Sequence, residues 1–104
     1  MKSVAVSQRV EVWKGRNERR DGVDQRLLDW IVKAGFAPFP VPNSLSKISL
    51  EKWLVNLSPS SLLLSGGNNI GEAPERDRTE AQLLTYANCH KLPVLGLCRG
   101  MQFM

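Results

Sequence analysis

A doubly wound α/β fold with a mostly parallel sheet is the architecture that these 104 residues predict, and three observations lead to it. Short apolar runs alternate with stretches of helical periodicity along the whole chain. Two of those runs, Leu62-Leu63-Leu64 and Pro93-Val94-Leu95-Gly96-Leu97, pass directly into turns built around glycine. The repeated strand-helix-strand order calls for parallel pairing through right-handed crossovers. The length suits one core and is too short for two. An apolar share of 42%, to which eight Gly add, belongs to a chain that collapses rather than one that stays disordered.

Val4 to Ser7 form the first strand and run into a polar loop rich in Arg, Asn and Glu. From about Asp21 the pattern is helical, because Val23, Leu27, Trp30, Ile31 and Ala34 fall on one face while Asp24, Arg26, Asp29 and Lys33 point elsewhere. Gly35 stops this helix. Phe36 to Val41 make a short second strand, which Pro38 and Pro40 assign to a sheet edge. Ser49 to Asn56 carry a helix with Leu50, Trp53, Leu54 and Leu57 as its apolar stripe, ended at Ser58-Pro59-Ser60. Leu62-Leu63-Leu64 is the third strand and stops at Ser65-Gly66-Gly67-Asn68-Asn69. Asp77 with Glu80 three residues later reads as a capping-box variant that opens a helix through Ala81, Leu84, Ala87 and Cys89 to about His90. Pro93 to Leu97 is the fourth strand, with Cys98 at its carboxyl end.

The net charge of +4 comes from 14 Lys and Arg against 10 Asp and Glu, with the two signs interleaved rather than set in a basic run. A small anionic ligand suits that pattern better than nucleic acid. A nucleic-acid groove would set aromatics among its arginines, and Trp13, Trp30 and Trp53 are far apart. Cys89 and Cys98 show no C-x-x-C spacing and no secretory segment precedes them, so a reducing cytoplasm fits best. No apolar run approaches the ~18 residues of a membrane span.

Gly96-Leu97-Cys98-Arg99-Gly100 has the form of a nucleophile elbow, with glycines two before and two after the reactive residue, between a strand and a helix. The sharp turn brings backbone so close to the nucleophile that side chains at Gly96 and Gly100 would clash. A helix starting here aims free N–H groups at the thiol and favours its thiolate form. The ordinary alternative for a free cysteine is a small buried hydrophobe. The strand before Cys98 and the second glycine turn at Gly66-Gly67 shift the balance toward a nucleophile, because in a parallel sheet both turns open at the carboxyl edge where ligands bind. Backbone N–H groups of Gly67 and Arg99 are candidates for an oxyanion hole. An ordinary tight turn with positive φ would explain Gly66-Gly67 as well. A phosphate loop lacks its lysine pattern.

The only histidine, His90, is a poor base for this thiol. It precedes the strand whose far end holds Cys98, and five or six extended residues separate the two by roughly 16 to 20 Å. The sequence therefore offers a nucleophile and oxyanion donors without a credible base. A helix expected from Arg99 or Gly100 stops at Met104 after little more than one turn. The expectation is that residues 1–104 are the amino-terminal half of a single domain, part of a longer product or completed by another chain, and in this form inactive. The fourth strand would then be an open edge prone to homo-oligomeric association.

Leu64-Ser65-Gly66-Gly67-Asn68-Asn69-Ile70-Gly71, Glu75-Arg76-Asp77-Arg78-Thr79-Glu80 and Pro93 through Gln102 together resemble the class I glutamine amidotransferase superfamily, in its gamma-glutamyl hydrolase branch. The resemblance implies a flavodoxin-like fold, attack by Cys98 on a γ-glutamyl amide, a glutamyl thioester, and no metal or organic cofactor. It also implies a His and a Glu downstream of the elbow, and Asn69 stands where the branch commonly has Asp. In the family the Arg-Asp-x-x-Glu element supports the active-site region, so Glu80 is a candidate brace for the elbow, with a helix cap as the alternative. Candidate substrate contacts are Arg19, Arg20, Gly66, Asn68 and Gln102. Arg9, Arg19 and Arg20 follow the first strand, and their guanidinium groups suit carboxylate or pyrophosphate, although solvated surface arginines are the default. A non-catalytic binding module that keeps the ligand-facing turns is the competing function.

Overall fold

The computed structural model of the protein describes residues 1–68 and 70–97. Strand β1 (Lys2–Val6) is followed by β2 (Arg9–Trp13) and β3 (Glu18–Gly22), then helix α1 (Gln25–Lys33) and strand β4 (Phe36–Pro40). Helix α2 (Lys47–Leu57), strand β5 (Ser61–Leu64), helix α3 (Pro74–His90) and strand β6 (Val94–Gly96) complete the order. Four strands form one parallel sheet in the order β4-β1-β5-β6. The chain steps from β1 to one side, then returns past it to place β5 on the other. The connections leaving β1 and β5 therefore diverge, and a crevice opens between their carboxyl ends.

Alternation along each strand distributes the core to both faces. Val4, Val6 and Leu63 pack with Ile31 of α1 on one face. Ala5, Leu62 and Leu64 pack with Leu50 and Leu54 of α2 and with Leu83 and Ala87 of α3 on the other. Both faces of β1 and β5 are covered, which is why these strands read as continuous apolar runs.

Strand β4 lies at the edge that its prolines predict. The Val41 N–H donates to the Val6 carbonyl at 2.9 Å, so residues two and four before it also face β1. Pro38 and Pro40, on the alternate positions, turn their missing N–H outward, where no ladder bond is lost.

Four sequence expectations are corrected. The polar loop after β1 is an antiparallel hairpin, with β2 and β3 paired from Arg9↔Gly22 to Trp13↔Glu18 around a turn that closes on Asn17 at φ 51°. Helix α1 begins at Gln25 rather than near Asp21, because Asp24 is its N-cap and accepts from the Arg26 N–H at 2.8 Å. Trp30 is 54% exposed, so it does not share the buried face of Ile31. Helix α3 starts at Pro74, before the capping box that Asp77 and Glu80 suggest. Proline at the first helical position has its φ preset and needs no N–H partner there. The Asp77 carboxylate instead accepts from the Gly71 N–H at 2.9 Å, closing the loop that enters the helix.

Candidate active site at the carboxyl edge of the sheet

The carboxyl ends of β1 and β5 are joined by a buried polar cluster. The Ser7 hydroxyl donates to Glu80 Oε2 at 2.6 Å and accepts from the Ser65 N–H at 2.9 Å. Arg76, one turn before Glu80, donates through Nη2 to the same carboxylate oxygen at 3.1 Å, and both side chains are fully buried. Two charges removed from water are tolerated only when their remaining donors and acceptors are satisfied. Arg76 satisfies its own by donating from Nη1 to the carbonyls of Gly66 at 3.1 Å and Gly67 at 2.7 Å, and from Nη2 to that of Ser65.

This arrangement orients the turn after β5. In a trans peptide the C=O and the following N–H point in opposite directions. A Gly66 carbonyl held toward Arg76 therefore turns the Gly67 N–H away from α3. Gly67 is exposed, and its N–H donates to no acceptor among the described residues. Its φ of +90° favours glycine, and a Cβ there would come within 2.9 Å of Arg9 Cβ and Cδ. The alkyl stem of Arg9 thus lies directly over the turn.

The hairpin is fixed in front of the turn by several ties. The Asn68 side chain accepts from the Val10 N–H at 2.7 Å and donates to the Val10 carbonyl at 3.0 Å, acting as a strand partner for one residue of β2. Arg19 grips Glu75 in the first turn of α3 with two hydrogen bonds of 2.6 and 2.8 Å. That contact holds the Glu75 carboxyl below its ordinary value and raises Arg19. The Asp21 carboxylate takes the Asn43 N–H and Nδ2 at 3.0 and 2.9 Å. Arg20 bonds to Glu18 at 2.7 Å and lies 4.8 Å above the Trp13 ring.

The structure thus gathers Gly66, Gly67, Asn68 and Glu80 at one turn, and places Arg19 and Arg20 on β3 with carboxylates already beside them. Cys98, Arg99, Gly100, Gln102 and Asn69 lie outside the described residues. Strand β6 leads toward the same edge: Leu64 pairs with Gly96, and the Leu97 N–H donates to the Leu64 carbonyl at 2.9 Å. His90 ends the 17-residue α3, which starts at this edge, so it sits ~25 Å along the helix axis from the turn, stacked on Tyr86 at 4.1 Å. Glu80 lies in the second turn of α3 and accepts from Ser7 and Arg76 among the described residues. Arg76, the first residue of the Arg-Asp-x-x-Glu element of which Glu80 alone was a candidate, is the organising residue. Its signal was the i, i+4 spacing to Glu80 within a helix whose other buried positions are small or apolar.

Among the described residues no group of three or more His, Cys, Asp and Glu side chains is gathered to hold a metal ion, and no helix is long and apolar enough to cross a membrane.

A parallel sheet with this order, helices on both faces and a glycine turn at the crevice is the flavodoxin-like architecture of class I glutamine amidotransferase domains. The family model of Peptidase C26 matches residues 3–104, and the chain belongs to that family of gamma-glutamyl hydrolases. It is 30% identical over 92 residues to a gamma-glutamyl-gamma-aminobutyrate hydrolase of Escherichia coli O157:H7. The match covers 77% of this chain and 36% of that protein, so the chain spans about a third of the relative's length.

Proposed function

We propose that this chain carries the nucleophile of a cysteine-dependent hydrolase of γ-glutamyl amides. The observation that supports it best is the Gly66-Gly67 turn, whose carbonyls Arg76 holds on one side so that the Gly67 N–H faces the other, at the edge toward which β6 runs. The Cys98 thiolate attacks the γ-carbonyl carbon. The oxyanion that forms accepts from the N–H groups of Gly67 and Arg99, and a donor oriented beforehand, as Gly67 is through the Arg76 contacts, costs no reorganisation at the moment of reaction. Collapse breaks the carbon–nitrogen bond, the amine leaves with a proton, and the glutamyl thioester is then hydrolysed to glutamate and free thiol. The proton must be moved by a base that these 104 residues do not supply, because His90 is their only histidine and lies at the opposite edge.

For the substrate, the segments Ser7-Gln8-Arg9-Val10-Glu11 and Asn17 to Gln25 resemble gamma-glutamyl-CDP-amidate hydrolase, a bacterial enzyme of capsule phosphoramidate synthesis, which makes a γ-glutamyl-CDP-amidate the first choice. The two segments include the start of β2 and all of β3, which form the hairpin beside the turn. The relative from Escherichia coli favours a second reading, γ-glutamyl-γ-aminobutyrate or another γ-glutamyl amine. Binding of γ-glutamyl amides with and without the nucleotide group separates the two. The hydrolase reading itself is tested by labelling with a glutamine-like diazoketone. Selective reaction at Cys98, with the exposed Cys89 untouched, is the expected result. A folded protein inert at Cys98 would leave only the non-catalytic binding module.

A further inference from the structure

Three arginines lie on the strands of the hairpin, and their surroundings differ. Arg19 is held at Nε and Nη2 by Glu75. Arg20 is held by Glu18 and the Trp13 ring. Arg9 bonds to Glu11 through Nε alone, at 3.0 Å, and neither of its terminal nitrogens makes a hydrogen bond among the described residues. Its stem is packed against Gly67, and its side chain is 45% exposed. It is the first residue of β2, in the segment that follows β1, and so stands beside the turn that follows β5.

We infer that Arg9 is a specificity-determining residue that receives an anionic group of the substrate at this crevice, an inference that rests on the hydrolase reading above. Glu11 fixes the Nε edge, so the Nη1 and Nη2 pair is presented end-on, in the geometry that takes a carboxylate or phosphate bidentately. A γ-glutamyl amide offers two such anions. One is the α-carboxylate of the glutamyl group; the other is any acid carried by the amine. Arg19 and Arg20 then act by holding the hairpin rather than by meeting substrate.

The test is calorimetric titration of the folded chain with glutamine, with its α-amide glutaminamide, and with inorganic pyrophosphate, for the wild type, Arg9→Met and Arg9→Lys. Methionine keeps an unbranched stem over Gly67, so the comparison isolates the charge. Arg9→Met should weaken one anion about tenfold, the scale of one charge-assisted contact, and leave glutaminamide unchanged, with Arg9→Lys recovering part of the loss. Loss of the preference for glutamine over glutaminamide assigns the α-carboxylate. Loss confined to pyrophosphate assigns the acid on the amine. Wild-type protein that binds no probe, or equal affinities in wild type and Arg9→Met, would overturn the inference. Diazoketone labelling of the same samples keeps the two ideas apart: reactive Cys98 with an indifferent Arg9 sinks only the anion site, whereas an Arg9-dependent anion site beside an inert Cys98 sinks only the hydrolase.

Discussion

Arginine–carboxylate pairs stand on both sides of the Gly66-Gly67 turn, and burial gives them opposite roles. Behind it, Arg76 and Glu80 are fully buried and bond to each other, to Ser7 after β1 and to the backbone of Ser65, Gly66 and Gly67 after β5. In front of it, Arg9, Arg19 and Arg20 meet Glu11, Glu75 and Glu18 with 45 to 48% of each arginine side chain exposed. Water competes for the second set and not for the first. The buried pair therefore fixes backbone, while the exposed pairs remain adjustable, and of these Arg9, bonded among the described residues through Nε alone, is the one open to a ligand.

The largest expected effect comes from breaking the buried set. Arg76→Met leaves the Glu80 carboxylate without its cation, and urea denaturation should show a loss of about 3 to 5 kcal/mol. A loss below about 1 kcal/mol, the level of a surface pair, would mean that burial does not distinguish the two sets. Next is the link between them. Asn68→Ala removes both hydrogen bonds to Val10 and places a Cβ residue without a side-chain amide at φ 42°, for an expected cost of about 1 to 3 kcal/mol. Asn68→Gly tolerates the backbone but not the contact, so hydrogen exchange at the Val10 N–H should accelerate in both variants. A protected Val10 in Asn68→Gly would show that the hairpin is held by other ties.

Smaller is the effect of Arg19→Ala, which should barely move the denaturation midpoint yet speed proteolysis of the hairpin, and added salt should erase the difference. Unchanged cleavage would remove the Arg19–Glu75 contact from the set of ties. Smallest is the response to pH. Carboxyls held below their unfolded values contribute stability that is complete above those values and is lost as pH falls through the folded ones. Arg19 depresses Glu75, whose ordinary value is 4.5, and Arg26 holds Asp24 down from 3.8 to about 2. Neither tie should weaken between pH 7 and 5; release of Asp24 should wait until the pH approaches 2, with Glu75 letting go below 4.5. Side-chain carboxyl shifts followed by NMR check both, and titration of either group above pH 5 would contradict the contacts.

The main sheet was legible because its strands are buried on both faces, and such strands announce themselves as apolar runs bounded by Gly and Pro. The hairpin was not, because β3 is the polar segment Glu18-Arg19-Arg20-Asp21-Gly22. Its stability comes from side chains far away in sequence, Asn68, Glu75 and Asn43, rather than from its own apolar face. The alternation Val10-Glu11-Val12 and the turn residues Gly15 to Asn17 were the local trace of it. The start of α3 was misplaced for a similar reason. Asp77 and Glu80 have the spacing of a capping box, but one closes a loop and the other is buried under Ser7, choices made by tertiary contacts.

By itself the sequence determined the order of the four main-sheet strands and their helices, the proline-bearing edge strand and the glycine turn at residues 66 and 67, because each depends on backbone sterics or on continuous apolar surface. Only the tertiary structure decided what the arginines do. A guanidinium carries the same charge wherever it stands, and its role follows from the water left around it and from the carbonyls and carboxylates that folding brings within reach.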